Sequence, residues 1–192
     1  MAHKTLTLAL LLLSTFTYAA HAQRPRNPAL RKELLNRVKK DQRVRADLPA
    51  DTAKITRALV KRLESVDKAN TAWLKRVVQK HGWPGKSLVG SDGAQAAWLL
   101  VQHADLDPEF QKQCLELMEK AVQVGEALAQ NFAYLTDRVR SKEGKLQLYG
   151  TLLKFAEGRY VPFPIEDEAN VDKRRAAVGL PTLAEYLKFA NQ

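Results

Sequence analysis

A helical apolar period runs through most of this chain and gives way once, near residue 147, and that change limits the folds open to it. Leu30, Leu34, Leu35 and Val38 form one apolar stripe, and Ile55, Leu59, Leu63 and Val66 form another that continues through Trp73, Leu74, Val77 and Val78. Asn27-Pro28 reads as cap and first position of a helix reaching about Leu48, where Pro49 stops it. Asp51 or Thr52 is expected to cap the second helix, which His81-Gly82 ends. Residues 82–90 read as a loop, followed by a short helix capped by Ser91 or Asp92 and ending near Ala104. Its Ala96–Val101 stretch is apolar on every side, so it belongs in the interior. Asp107-Pro108 opens a further helix, with Phe110, Cys114, Leu117, Met118 and Ala121 inward. Another carries Leu128, Phe132, Leu135 and Val139 and closes at Gly144.

At that point the period becomes two. Leu148, Gly150 and Leu152 alternate with Gln147, Tyr149 and Thr151, which predicts a strand, and residues 159–163 pair back across Glu157-Gly158. Two short helices, about 168–178 and 182–190, complete the chain. The expected fold is mainly α: a single helical domain at residues 23–192, with about six to eight helices and a small β-hairpin near the C-terminal third.

The first residues stand apart. Lys4, the run Leu6–Leu13 and the small-x-small triplet Ala20-His21-Ala22 match a signal peptide over residues 1–22, cleaved near Ala22/Gln23. The run is short of the roughly 20 apolar residues a bilayer requires, and no later segment is apolar enough to span one. The mature chain is therefore expected to be periplasmic or secreted, without a transmembrane segment. Only Cys114 is available, so no internal disulfide can form, and its helical setting suggests a packed thiol.

Charge is uneven. Residues 23–86 hold 18 Lys and Arg against 6 Asp and Glu, whereas residues 87–192 hold 12 against 15. Export argues against nucleic acid as the partner of this basic half. An anionic envelope surface fits better, and solvated helix faces account for the pattern most simply.

Beyond the export segment only two histidines remain, His81 and His103. His81 leads into Gly82-Trp83-Pro84, a stiff loop start, and His103 follows Gln102 and precedes Asp105 where the apolar helix emerges. Polar groups there need hydrogen-bond partners, which capping alone can supply. Tyr134, Asp137 and Arg138 are placed to share a helix face, where an acid beside a guanidinium forms an ion pair, positions a histidine or clamps an anion. Gln147, Tyr149 and Thr151 are expected on one strand face, and Asp41 and Gln42 interrupt a Lys-rich helix as ordinary surface.

The blocks His81-Gly82-Trp83-Pro84, Gln102-His103-Ala104-Asp105, Tyr134-Leu135-Thr136-Asp137-Arg138-Val139 and Gln147-Leu148-Tyr149-Gly150-Thr151, in this order, resemble a bacterial family known only as a domain of unknown function. Asp41-Gln42 with Arg45 is similar to that family's early block, and Val171-Asp172-Lys173-Arg174-Arg175 to its closing one. The resemblance covers about residues 36–187. It implies shared polar positions at Asp41, Gln42, His81, Trp83, Gln102, His103, Asp105, Asp137, Arg138, Gln147 and Tyr149, and it brings no activity. Leu152 departs from the pattern, which places a second Gln there.

Two functions fit these residues. One is an envelope hydrolase using activated water, since no serine stands in a nucleophile elbow. In it His81 or His103 is the general base, Asp137 or Asp105 orients it, and Arg138 holds an anionic group, with Trp83, Gln102, Tyr134, Gln147, Tyr149, Asp41 and Gln42 as further ligand contacts. The other is a non-catalytic module that grips a small molecule or peptide with the same cluster. Cofactor use is unknown, and the histidine spacing matches no zinc motif. A third reading, polar blocks that merely pin loops to a helical core, requires that His81, His103, Asp137 and Gln147 do not converge.

Overall fold

In the computed structural model, residues 24–49 and 54–192 are described, so the expected signal peptide at 1–22 and the expected caps Asp51 and Thr52 lie outside them. Among the described residues there are seven α-helices and one two-stranded antiparallel sheet: α1 (Pro28–Ala46), α2 (Arg57–His81), α3 (Lys86–Gln102), α4 (Pro108–Gln123), α5 (Ala129–Lys142), β1 (Leu153–Ala156), β2 (Arg159–Pro162), α6 (Val171–Ala177) and α7 (Leu183–Ala190). The mainly α expectation holds. No described helix is long and apolar enough to cross a membrane.

Local chemistry sets most boundaries. The Asn27 side chain accepts from Leu30 N ahead of Pro28, and the Asp107 side chain accepts from Phe110 N ahead of Pro108, so each acceptor satisfies one of the free first-turn amides. Thr182 and Glu185 form a reciprocal capping box on α7. The second helix opens later than the sequence suggested: Thr56 caps it, accepting from Leu59 N at 3.2 Å, which leaves Ile55 outside.

α3 also departs from expectation. It starts at Lys86, where a loop was expected to run on to Gly90. Its first turn is held by chain entering α1, with Arg26 N donating to Ser87 O and Asn27 N to Leu88 O. Gly90 then breaks the helical backbone with φ +77°, a conformation that favours glycine, and the helix resumes to Gln102.

Beyond Gly90, α3 is the axis of the fold. Ala94, Ala96, Ala97, Leu100 and Val101 are buried, packed with Leu34 of α1, Leu74 and Val78 of α2, Phe110, Cys114 and Met118 of α4, and Leu135 of α5. Shortening one of the large side chains here, such as Leu100→Ala, would cost about 2–5 kcal/mol through lost burial and a residual cavity. α1 runs parallel to α3, with Arg31 paired to Asp92 early and Asp41 meeting His103 late. α2 returns antiparallel to α1, as the pairs Arg62–Asp47 and Arg45–Asp67 show.

The hairpin forms where the turn chemistry demands it and not where alternation pointed. Glu157 and Gly158 both take positive φ, and the register pairs Leu153 with Pro162 and Ala156 with Arg159. Residues 147–152 are therefore not a strand but an irregular loop, tied to the hairpin's far side by an isolated parallel bridge from Gln147 to Ile165.

Candidate functional site

The C-terminal turn of α3 carries two polar networks that face different neighbours. His103, the C-cap residue, turns toward α1. Its Nδ1 lies 2.9 and 3.1 Å from the two carboxylate oxygens of Asp41, which is fully buried although its neighbours in sequence suggested surface. Gln42 Nε2 donates to Asp41 at 2.8 Å, and Arg45 Nη1 donates at 2.5 Å. Arg45 Nη2 also reaches both oxygens of Asp67, at 2.8 and 3.0 Å. Burial pushes the Asp41 carboxyl upward, but the hydrogen bond and charge of His103, with Gln42 and Arg45, outweigh it and hold it below its ordinary value. Asp67 ends above its ordinary value, because there burial prevails over Arg45.

Gln102, one residue earlier and about 100° round the helix, turns toward α5. Arg138 Nε donates to its Oε1 at 2.6 Å, and Arg138 Nη1 donates to both oxygens of Asp105 at 3.0 Å. Lys142 approaches the same carboxylate at 3.6 Å. The Gln102 amide nitrogen is buried without a partner among the described residues.

Asp137 is also fully buried, yet it meets neither histidine. It accepts from the backbone N–H groups of Leu148 (2.7 Å), Tyr149 (3.1 Å) and Thr151 (2.9 Å), and from Thr151 Oγ1 (2.9 Å). The loop can wrap a carboxylate this way because Gly150 takes φ +64°. A Cβ there would lie 2.6 Å from Ile165 Cδ1. Gln147 closes the loop from within: its Nε2 donates to Leu152 O and Phe163 O, and its Oε1 accepts from Leu152 N. Leu152, which stands where the resembled pattern has a second Gln, is thus held through its backbone.

The loop's carbonyls are met from the other side. Arg174 Nε donates to Leu148 O at 2.7 Å, and Arg175 Nη1 donates to Tyr149 O at 2.6 Å. Arg175 is fully buried and stands 5.0 Å from the Tyr186 ring centre, so burial lowers its pKa below the ordinary guanidinium value. Tyr134 stands edge-on to both Trp98 and Tyr186, and burial with the nearby Tyr134 pushes the Tyr186 phenol up to about 12. Tyr149 is half-buried and its phenol is raised by burial and by the Asp137 charge.

The structure therefore brings His103 together with Asp41 and Gln42, and Gln102 together with Asp105 and Arg138. It does not bring His81 or Trp83 to them. His81 is exposed and lines a surface cavity with Trp83, Arg26 and Leu88. Leu88 meets Asn27 at the start of α1, and His103 meets Asp41 fourteen residues further along, so about 20 Å of helix separates the imidazoles. Asp137 and Arg138, expected on one face with Tyr134, point to different partners. Among the described residues no three His, Cys, Asp or Glu side chains gather as a metal site.

Sequence reasoning passed over Arg45, Asp67, Arg175 and Tyr186 as site members. Arg45 had a readable signal, since an acid and a base four apart on a helix meet. Asp67 lies on another helix and had none. Burial pushes the Cys114 thiol up to about 12, in keeping with packing and not chemistry.

A family model described as a family of unknown function (DUF6624) matches residues 28–192. No curated protein and no solved structure matches the chain.

Proposed function

The chain belongs to this family of unknown function, and from that premise we propose that His103 is an acid–base residue that activates water for hydrolysis, with Asp41 as the carboxylate that orients it. One observation carries this reading: the fully buried Asp41 engages Nδ1 of the ring and is itself fixed by Gln42 and Arg45. A neutral imidazole with its proton held at Nδ1 has its lone pair at Nε2, which is the base. In the reaction Nε2 takes a proton from water as the water oxygen attacks an acyl carbon. The imidazolium, steadied by Asp41, then returns that proton to the leaving group. The export pattern at residues 1–22 supports the cell envelope as the place of work.

The test is turnover of a panel of aryl esters and peptide amides by the wild-type chain, His103→Gln and Asp41→Asn, with folding followed by circular dichroism. The expected result is a loss of about 10²-fold or more in His103→Gln and a smaller loss in Asp41→Asn. Equal turnover by His103→Gln rejects the reading.

A second reading, in which the polar blocks only pin loops to the helical core, draws support from Asp137, Gln147 and Arg138, whose hydrogen bonds are committed inside the fold, and from His81 and His103 lying apart. Neither turnover nor saturable binding across the same panel would favour it, and saturable binding without product would point instead to a non-catalytic ligand-binding module.

A further inference from the structure

The outer side of the α1–α2 hairpin holds a groove separate from the His103 network. It is a cavity of about 370 Å³, within the range of small-molecule sites, lined by Glu33, Arg37, Lys40, Arg43 and Asn70 among others. Its charge is one-sided. Glu33 is the only acid lining it among the described residues, and that carboxylate is paired with Arg37 at 2.8 Å. Lys39, Lys40 and Arg43 also line it, and none of the three has an ion-pair partner among the described residues. Two other cations of α1 are already matched: Arg31 is paired with Asp92, and Arg45 with Asp41 and Asp67.

The floor of the groove is built. Arg37 is pinned by Glu33, lies 4.3 Å over the Trp73 ring and donates to Asn70 Oδ1 at 3.3 Å. Asn70 is only 6 % exposed, and its amide nitrogen has no hydrogen-bond partner among the described residues. Three unmatched cations, a preset guanidinium and a spare amide donor call for a compact, multiply charged group rich in acceptor oxygens. A phosphate fits that description better than a single carboxylate, which offers two oxygens and one charge.

We propose that the α1–α2 groove binds a phosphate group, carried either on a small molecule or on a lipid headgroup. The site stands independently of any acid–base role for His103, because Asp41 and Arg45 face inward from the same helix.

The test uses the purified chain at low ionic strength. In one arm, NMR follows the Asn70 side-chain amide during titration with inorganic phosphate and glycerol phosphate. In the other, the protein is sedimented with phosphatidylglycerol vesicles or with phosphatidylcholine vesicles. Lys40→Gln/Arg43→Gln is compared with Lys120→Gln/Lys173→Gln, which removes the same charge elsewhere. The expected result is binding in at least one arm, weakened about tenfold by the groove variant and by less than about twofold by the control. Response to free phosphates identifies a small-molecule ligand, and response to phosphatidylglycerol vesicles alone identifies a headgroup. Absence of binding in both arms, or equal weakening by the two variants, overturns the proposal. All four sites are on the surface, so loss of fold does not confuse the comparison.

Discussion

Asp41 and Asp137 are equally hidden from water, yet they are answered in opposite ways. Asp41 is surrounded by side chains: His103 and Arg45, which can carry charge, and the neutral amide of Gln42. Asp137 is surrounded by backbone amides of Leu148, Tyr149 and Thr151 and by one hydroxyl. A buried carboxylate must be compensated in either case. Compensation by backbone fixes the path of a loop and leaves nothing over for chemistry. Compensation by an imidazole fixes a ring and leaves its second nitrogen available. The same residue type, equally buried, thus builds structure at one place and a candidate site at the other.

The sharpest way to break this comparison is Asp137→Ala. It strands three amides, and the expected loss is about 3–5 kcal/mol in denaturant unfolding, with selective loss of amide protection at 148–151. A loss below about 1 kcal/mol would mean that the loop holds itself.

Asp41→Asn should cost less, about 2 kcal/mol, since the amide keeps one acceptor oxygen while the charge facing Arg45 and His103 disappears. Its effect should depend on pH. The folded carboxyl of Asp41 lies below its ordinary value, so its stabilisation is present above the unfolded value, about 4, and is lost as pH falls through the folded one. Asp67, raised in the fold, has the opposite sign: its contribution favours the fold at low pH and is lost as pH rises through its folded value. Asp41→Asn should therefore flatten the acid limb of stability below about pH 4, and Asp67→Asn should steepen the limb just above that pH. Matching slopes would show that the two acids act as one unit.

Thr151→Val removes one of the donors to Asp137 and leaves the backbone set intact, so about 1 kcal/mol is expected from thermal unfolding. Gln42→Ala, at an exposed residue, should change stability by no more than about 0.5 kcal/mol. Its use is to sharpen the comparison: the His103 side-chain NMR signals should move if Gln42 helps hold Asp41 in place.

Element starts were legible where the cause is local. Asn27-Pro28, Asp107-Pro108 and Thr182 with Glu185 each satisfy first-turn amides within four residues, and each opens a helix as read. The interior place of α3 followed from Ala96–Val101 having no polar side. The strand was misplaced because alternation at 147–152 reflects a loop whose amides turn toward Asp137, and that partner lies ten or more residues away on a helix. Thr56 took the cap expected at Asp51 or Thr52, and Gly90 interrupted a helix that began four residues before it.

Taken alone, the sequence determined the helical class, the helix starts at Asn27, Asp107 and Thr182 and the hairpin turn, because periodicity and capping act over one or two helical turns. It also singled out His103 and, through the resemblance, Asp41. Only the tertiary structure decided their pairing. It put His81 and His103 at opposite ends of α3, gave His103 to Asp41 and gave Asp137 to the loop, because which buried charge meets which donor depends on helices crossing tens of residues apart.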